Sequence, residues 1–407
     1  MLVKLAWRNI WRNKLRTSIM LGAMVFGLMS VIVMIGFMNS FYNNMIDNTI
    51  NWQTSHVKIH DIRYPDDPDI NFTIANMDVL SRLLDKQDNI KAWTSRHLVN
   101  GMIASARSTR GVVINGIDLK TEVVPLSTKV IAGEWMDDQG RNPIMVSKKT
   151  SERLNLRIGS KVVLTFSGGD GDVTGAAFRV RGIFQTASSS MDDSNVYVRK
   201  ADLSKVSNVI GVHEVAIMFY EIDDAEIFVN TLPKHVNANT REQWLIRDWQ
   251  TISPILKTMM DTSGVFNAVF LLIFVIAMAF GIVNILLMSV FERTQEFGVL
   301  MAVGMSKGNI RGVIILESAL MSICGTTVGL LGAIGLTYSL SQTGIDLTSF
   351  GDSLQGFGVD TILYPSVSIG EYASAFSAVM LAILLSGLYP AHKILQQRPV
   401  DAMSEKH

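Results

Sequence analysis

Four stretches of this chain are long and apolar enough to cross a membrane, and they constrain its fold more than any other feature. A membrane-spanning helix needs about 20 apolar residues, and none of these stretches alternates in the manner of a barrel strand. The stretches are residues 18–38, 262–291, 312–340 and 372–391, and the second of them contains no charged residue. We therefore predict an integral membrane protein with four transmembrane α-helices.

The segment before the first span is basic and amphipathic. One helical face of residues 1–17 carries the apolar side chains Val3, Trp7, Ile10 and Trp11. Arg8 and Arg12 lie on the opposite face, which suits a helix on the membrane surface with its arginines near lipid phosphates. We predict a cytoplasmic elbow helix that contacts membrane lipid. A disordered basic tail is the alternative.

The distribution of lysine and arginine predicts the orientation of the spans. Five basic residues and no acidic residue precede the first span, and no lysine or arginine occurs between Arg311 and Lys393. Since basic loops stay on the cytoplasmic side of a membrane, we expect both termini in the cytoplasm and the insert 39–261 outside. The first apolar run is longer than the apolar core of a typical signal sequence, and no small-x-small cleavage pattern follows Met38, so it is expected to remain as an anchor.

The insert between the first and second spans alternates strand-like and helix-like runs. Alternating β-branched patterns predict strands at 56–60, 111–117, 142–147, 161–166, 176–184, 195–198 and 214–220. Amphipathic patterns predict helices at 76–86, 147–154 and 223–232. The predicted fold class is therefore four transmembrane α-helices plus a large α+β extracytoplasmic domain inserted between the first and second helices.

Several polar features of the insert suggest chemistry, but each has a plainer interpretation. His56 and His60 share a strand face without a third metal ligand nearby, so we predict surface histidines. SGGDGDVTG at 167–175 resembles a calcium or phosphate loop, yet the flanking strands favour a hairpin turn. We expect no catalytic residue, metal or cofactor in this chain. The net charge of zero provides no field for binding nucleic acid.

The connection between the second and third spans, 292–311, is polar and punctuated by glycine. The phosphate-loop pattern GxxxxGK[ST] is absent from the sequence, so any ATP-driven role requires a separate subunit that hydrolyses ATP. A short helix with regularly spaced apolar residues fits a groove on a soluble partner. We assign this ATPase contact to Arg293, Glu296, Phe297, Leu300, Met301, Gly304, Met305 and Lys307. An ordinary connector between two helices is the alternative.

Small residues recur at helical spacing in the third span. Gly325, Gly329 and Gly332 allow another helix to approach closely. That helix belongs either to the same chain or to a second subunit. Glu317, near the inner end of the same span, is expected to snorkel or to pair with a basic residue.

Several stretches carry a specific family resemblance. They are LAWRNIWRNKLRTSIM (5–20), VVINGID (112–118), 144–166, FRVRGIFQT (178–186), ERTQEFGVLMAVGMSKGNIRGVIILES (292–318) and YPAHKILQQRPVDAM (389–403). They resemble the FtsX-like permeases of ABC transporters, the superfamily of MacB, LolC and LolE. The resemblance extends over nearly the whole chain.

The resemblance implies a permease subunit that forms a homodimer or heterodimer and binds a cytoplasmic ATPase dimer through the coupling helix at 292–311. Motion would pass to the external domain by mechanotransmission, through stalks formed by 41–52 and by 241–262, with Pro254 as a kink or a start. We predict release of lipoproteins from the inner membrane, with a periplasmic carrier or adaptor as a further partner. Alternatives are tripartite export of a peptide, toxin or small amphiphile, and FtsX-like signalling to a cell-wall hydrolase.

The predicted boundaries follow from these assignments. In chain order they are the elbow helix 1–17, the first span 18–38, the external domain with its stalks 39–261, the second span 262–291, the coupling helix 292–311, the third span 312–340, a short external loop 341–371, the fourth span 372–391 and a cytoplasmic tail 392–407.

Overall fold

The computed structural model describes residues 2–74, 76–236 and 244–395. These residues form two compact units. The helical unit comprises the described parts of 1–42, 260–347 and 362–407, and the α+β unit comprises those of 43–259 and 348–361. Most of the predicted tail 392–407 and the first three residues of the predicted stalk 241–262 lie outside the described residues.

The helices are numbered in chain order. They are α1 Leu2–Ile10, α2 Lys14–Thr49, α3 Met77–Leu84, α4 Lys148–Arg153, α5 Ser189–Ser194, α6 Lys200–Ser207, α7 Asp224–Val236, α8 Trp249–Ile252, α9 Pro254–Glu292, α10 Thr294–Ala302, α11 Lys307–Thr343, α12 Gly351–Gly356 and α13 Ile369–Leu395. A π-helical turn, Ile50–Thr54, extends α2, and short 3-10 turns occupy Leu126–Lys129 and Thr348–Phe350.

Four of these helices are long and apolar enough to cross a membrane: α2 with its extension, α9, α11 and α13. The α+β unit interrupts the chain between α2 and α9. The predicted fold class is therefore confirmed. Large side chains such as Phe266, Phe270 and Phe280 lie exposed on α9, as expected of a helix that has lipid as its solvent.

All four spanning helices contribute to the apolar core of the helical unit. Its buried members include Met24 and Leu28 of α2, Ile282 of α9, Met321 of α11 and Ile383 of α13. Lipid tails are as apolar as these side chains, so close packing, rather than transfer out of water, holds such helices together.

α2 packs closely against α11 at the small residues of α11. A Cβ atom at Gly329 would lie 3.2 Å from the backbone Cα of Val25, and a Cβ atom at Gly325 would lie 2.8 Å from Sδ of Met24. Gly332 likewise faces α2. The stripe therefore forms a helix contact within one chain, which is one of the two alternatives that the sequence left open.

Replacing Gly329 with leucine is expected to lower the stability of the helical unit by about 1–3 kcal/mol, because the backbone of α2 cannot move aside as a flexible side chain could. Gly335 provides a matched control, since it lies on the same helix and nothing lies within 4 Å of its added Cβ. We expect the thermal midpoint of the detergent-solubilised protein to be lower for Gly329→Leu and unchanged for Gly335→Leu. Equal midpoints would contradict the close contact.

The strands are also numbered in chain order. They are β1 Val57–Asp61, β2 Ile90–Ala104, β3 Thr109–Ile117, β4 Val130–Gly133, β5 Pro143–Ser147, β6 Lys161–Ser167, β7 Val173–Phe184, β8 Asn195–Arg199, β9 Glu214–Phe219, β10 Trp244–Asp248, β11 Ile345–Asp346 and β12 Ile362–Leu363. The first ten form one sheet in the order β10-β1-β9-β2-β3-β8-β5-β7-β4, with β6 paired to β2 and β7.

The α+β unit has several apolar cores on this sheet. One lies between β1 and β9 and the helices α3 and α7, and a larger one lies among β2, β3, β5 to β8 and α6. The predicted hairpin is confirmed, because β6 and β7 pair antiparallel around a turn in which Gly171 has a φ of +85°. Only glycine adopts such a φ at no steric cost.

The prediction that His56 and His60 are surface residues is wrong, because both are buried. His56 Nδ1 accepts a hydrogen bond of 2.8 Å from the Phe219 amide. His60 Nε2 lies 3.3 Å from the carboxylate of Glu214, and its ring stacks on Tyr64 with centroids 5.6 Å apart. β1 is an interior strand between β9 and β10, and the side chains that contact His60 come from β9 and from the turn after β1.

This contact continues as a histidine row, which we define as His60, Tyr64, His213 and His97. The ring centroids of Tyr64 and His213 are 5.4 Å apart, and those of His213 and His97 are 5.5 Å apart. The Leu98 amide donates to His213 Nδ1 at 3.2 Å, so that nitrogen carries no proton, and Nε2 lies 2.8 Å from the carbonyl oxygen of Ile70. The hydrogen bonds therefore suit a neutral His213.

The structure agrees with the predicted helix of one stalk and disagrees with that of the other. α2 is unbroken from Lys14 to Thr49 and continues as a π-helical turn, so the predicted helical extension through 41–52 is confirmed. The prediction of one continuous stalk over 241–262 is wrong, because Trp244–Asp248 pairs with β1 as strand β10. Pro254 is the first residue of α9, a position where the missing N–H has no helical partner to lose.

Part of the predicted external loop 341–371 is hydrogen-bonded to the C-terminal turns of α2. Asn44 Nδ2 donates to Asp360 Oδ2 at 2.9 Å, and the Asp360 amide donates back to Asn44 Oδ1 at 2.8 Å. Asn48 Nδ2 donates to the Gly358 carbonyl at 2.9 Å, and its Oδ1 accepts from the Trp52 indole at 3.1 Å. These contacts place residues 348–361 in the α+β unit.

Candidate ATPase-coupling site

The predicted coupling segment lies in the helical unit, at the turn between α9 and α11. α9 ends at Glu292, where Arg293 leaves helical geometry with a φ of −109° and a ψ of 11°. The chain then forms the separate helix α10, Thr294–Ala302. A nine-residue helix is marginal alone in water, so tertiary contacts must hold it.

The end of α10 is a Schellman motif. The Gly304 amide donates to the carbonyl of Met301 at 3.1 Å, and the Met305 amide donates to that of Leu300 at 3.0 Å. This motif needs a residue of positive φ after the helix, and Gly304 supplies it with a φ of +98°. Leu300 and Met305 are the apolar pair typical of the motif, and both pack against the apolar cluster around Phe297. Ser306 then caps α11.

Apolar contacts hold α10 against its own chain. Phe297 is only 2% exposed. Its cluster contains the buried residues Val290, Ile310, Ile314 and Ala391. Leu300, Met301 and Met305 are partly buried against the same cluster. The structure therefore places the predicted apolar contact residues on the inner face of α10, where they fix its position on α9, α11 and α13.

Ion pairs connect α10 and its N-cap residue Arg293 to two other elements, the α1–α2 turn and α11. Arg12, in the turn between α1 and α2, pairs with Glu296. Arg293 lies 3.3 Å from Glu296 and 3.1 Å from Glu317 of α11, and its guanidinium also lies over the Phe297 ring. The hydrogen bond from Arg12, reinforced by Arg293, holds the pKa of Glu296 below its ordinary value. Glu317 thus pairs as the sequence led us to expect.

The outer face of α10 is more apolar than the sequence indicated. Val299 is 55% exposed and Val303 is 82% exposed. Gly304 and Lys307 are exposed beside them. Sequence reasoning missed the two valines, since spacing alone identified one apolar face and assigned the partner contact to it. An exposed apolar patch next to a lysine is able to receive a protein partner.

Replacing Gly304 with alanine is expected to lower stability by about 1–2 kcal/mol, because an L side chain is strained at positive φ. Gly308, in the first turn of α11, is the matched control, since it has ordinary helical geometry and its added Cβ meets nothing closer than 4.0 Å. We expect a lower thermal midpoint and faster proteolysis near residue 304 for Gly304→Ala alone. A loss of equal size in Gly308→Ala would show that φ is not the cause.

Two family models match the chain. The MacB-like periplasmic core domain matches residues 17–234, and the C-terminal FtsX-like permease domain matches residues 268–399. The chain therefore belongs to the MacB/LolC family of FtsX-like ABC transporter permeases. It is a membrane protein, and since this family is the permease component of ABC transporters, an ATPase partner is implied.

The relatives include both lipoprotein-releasing and macrolide-export proteins. The lipoprotein-releasing system transmembrane protein LolC of Xylella fastidiosa (strain Temecula1) is 22% identical over 325 residues, which is 76% of this chain and 75% of LolC. The macrolide export ATP-binding/permease protein MacB of Shewanella sp. (strain W3-18-1) is 35% identical over 126 residues, which is 31% of this chain and 17% of MacB.

Similar solved structures come from external domains. The periplasmic region of MacB from Actinobacillus actinomycetemcomitans matches 52% of this chain and 97% of that chain, at 14% identity and a TM-score of 0.37. The extracellular domain of the ABC-type transporter YknZ from Gram-positive bacteria matches 47% of this chain and 99% of that chain, at 16% identity and a TM-score of 0.34.

Proposed function

We propose that this chain is the permease subunit of a transporter that releases lipoproteins from a bacterial inner membrane. The observation that carries the proposal is the extent of the likeness to LolC, which spans 76% of this chain and 75% of the relative. The cargo is then a lipidated protein in the outer leaflet, and a periplasmic carrier or adaptor receives it.

The coupling role is assigned to the region around α10. In this proposal both termini and α10 lie in the cytoplasm, where the basic residues before α2 favour them. A cytoplasmic ATPase dimer contacts the exposed face formed by Val299, Val303 and Lys307. Arg293, Glu296, Phe297, Leu300, Met301, Gly304 and Met305 hold that face on the helical unit. A second permease subunit, identical or related, completes the transporter.

Force reaches the outside through stiff elements. ATP is hydrolysed by the partner, and closure of the ATPase dimer displaces α10. The ion pairs of Arg12 with Glu296 and of Arg293 with Glu317 connect α10 to the α1–α2 turn and to α11. α2 contains no glycine or proline after Gly36 and is unbroken to Thr49, so it acts as a lever rather than a hinge.

A second candidate function is export of a peptide, toxin or small amphiphile. The observation that favours it is the higher local identity to MacB, 35% over 126 residues. The two functions differ in cargo and share the coupling machinery. They are therefore separated by following cargo rather than by measuring ATP hydrolysis.

Depletion of the protein in its host is expected to leave lipoproteins in the inner membrane, as detected by membrane fractionation. Val303→Asp should have the same effect, because a charge at the centre of a docking patch lowers ATPase affinity by about 30-fold or more. Ile210→Asp is the control, since Ile210 is a similarly exposed apolar residue (88%) that lies in the α+β unit.

The competing outcomes are distinct. If depletion left the lipoprotein distribution unchanged and made the cells sensitive to peptides or amphiphiles, export would be the function and lipoprotein release would not. If the ATPase still co-purified fully with the Val303→Asp variant, α10 would not be part of the docking surface.

A further inference from the structure

A polar cavity of about 540 Å³ opens beside the turn between α1 and α2. The turn is held by backbone hydrogen bonds from Arg12 to Asn9 at 3.2 Å and from Thr17 to Asn13 at 3.1 Å. The cavity is lined by Asn9 of α1, by Arg12 and Asn13 of this turn, by Lys14 and Arg16 at the start of α2, and by Glu292 and Arg293 at the junction of α9 and α10. Two parts of the helical unit that are distant in sequence thus enclose one space.

The charges around this cavity leave a positive excess. Four cationic side chains and the carboxylate of Glu292 line it. Arg12, Arg16 and Arg293 have carboxylate partners. Lys14 makes no ion pair within the part of the chain that the structure describes, and it is exposed. The cavity and its ion-pair partners therefore carry one unbalanced positive charge, and the amides of Asn9 and Asn13 offer further hydrogen-bond donors.

Apolar side chains on both sides of Lys14 fix the depth of the cavity in the membrane. Trp7 and Trp11 are 44% and 48% exposed, and tryptophan concentrates at the headgroup layer. On the other side in sequence, Leu15 and Ile19 are 74% and 56% exposed at the start of a spanning helix, where only acyl chains can cover them. This pattern of exposed side chains predicts that Lys14 lies at the boundary between these two layers, at the level of lipid phosphates.

We propose that this cavity binds the phosphodiester of an anionic phospholipid. A phosphodiester carries one negative charge, which matches the unbalanced charge of the site, and its oxygens accept hydrogen bonds from lysine and asparagine. The lipid tails would lie along the exposed apolar start of α2. The site holds irrespective of the cargo, since it uses only residues of the helical unit.

A lipid in this cavity would also affect the ion pair between Arg12 and Glu296 of α10. Arg12 lines the cavity and pairs with Glu296. A phosphate oxygen and the Glu296 carboxylate therefore compete for the same guanidinium. Lipid binding weakens the contact between the α1–α2 turn and α10, and removal of the Glu296 charge strengthens lipid binding.

The test is native mass spectrometry of the full-length protein, equilibrated in detergent with phosphatidylglycerol or phosphatidylcholine. Lys14→Gln removes the unpaired cation, and Lys4→Gln is the control because it removes an equal charge from an exposed position of α1 outside the cavity. We expect wild type and Lys4→Gln to retain phosphatidylglycerol, and Lys14→Gln to retain about tenfold less, as loss of a charge-assisted hydrogen bond predicts. Glu296→Gln should retain more than wild type.

Three results would overturn the proposal. Equal retention by Lys14→Gln and Lys4→Gln would mean that basic residues attract lipid without a site. Equal retention of phosphatidylcholine would remove the requirement for an anionic lipid. Full displacement of phosphatidylglycerol by millimolar inorganic phosphate would identify a site for the free anion instead of a lipid.

Discussion

Replacing Glu317 with glutamine is expected to lower the free energy of unfolding of the helical unit by about 3–5 kcal/mol. Glu317 and Arg293 are 6% and 8% exposed, and their closest nitrogen–oxygen distance is 3.1 Å. The substitution keeps the shape of the side chain and removes its charge. Arg293 would then be left buried with only the partly exposed Glu296 as a counter-charge.

The measurement is the thermal midpoint of the detergent-solubilised protein, together with ATPase co-purification. Since Arg293 also connects α9 to α10, we expect Glu317→Gln to loosen α10 and to reduce ATPase association. The control is the double variant Arg293→Met/Glu317→Leu, which removes both charges and should regain most of the stability, as buried pairs replaced by apolar groups often do. An unchanged midpoint for Glu317→Gln would show that the pair does not hold α10.

Acidification is expected to destabilise the α+β unit through the histidine row. Burial, with repulsion from His213 and Lys200, lowers the pKa of His97 to about 4. Burial also lowers the pKa of His60 and of His213. The His97 ring is further held by Ser204, 2.8 Å from Nε2. These contacts suit neutral imidazoles packed side by side, and protonation would place like charges about 5.5 Å apart.

The pH window follows from His97 itself. Its unfolded pKa is near 6.5 and its folded pKa is about 4, so the unfolded chain binds more protons between these values. Stability is therefore fully present above pH 6.5 and is lost as the pH falls towards 4. At about 1.4 kcal/mol per pKa unit, His97 accounts for a loss of about 3 kcal/mol between pH 7 and pH 4.

Asp192 titrates in the opposite sense and must be separated from His97. Burial raises its pKa to about 6, which stabilises the fold as the pH falls. The measurement is therefore the difference between wild type and His97→Gln, in which the contribution of Asp192 cancels. Urea unfolding of the full-length protein, followed by tryptophan fluorescence, should show a steeper loss of stability below pH 6.5 in wild type. If the unfolding free energies of wild type and His97→Gln changed in parallel with pH, His97 would not be the group that titrates.

The sequence was sufficient where the environment imposes a simple pattern. The bilayer demands long apolar helices, so all four spans could be predicted. Strands such as β6 and β7 alternate cleanly and were recognised with the turn between them. β2, Ile90–Ala104, was missed because it carries Arg96 and His97, whose burial depends on distant partners such as Glu214.

The coupling segment shows a different limit of prediction. Helical spacing identified the apolar face with Phe297, but spacing does not tell whether such a face meets a partner or its own chain. Phe297 packs internally, whereas Val299 of α10 and Val303, its C-cap residue, are exposed. The ion pair of Arg12 with Glu296 joins residues 284 positions apart, which local pattern does not reveal.

The hydrogen bonds of Asn44 and Asn48 to Asp360 and Gly358 have a practical consequence for anyone who wishes to isolate the external domain. A soluble fragment cut as one continuous piece, 43–259, leaves residues 348–361 behind. Asn44 then loses its hydrogen bonds with Asp360, Asn48 loses the Gly358 carbonyl, and the last turns of α2 are exposed to water. A fragment that carries 348–361 on a short glycine-rich linker restores those partners and is the better candidate for crystallisation.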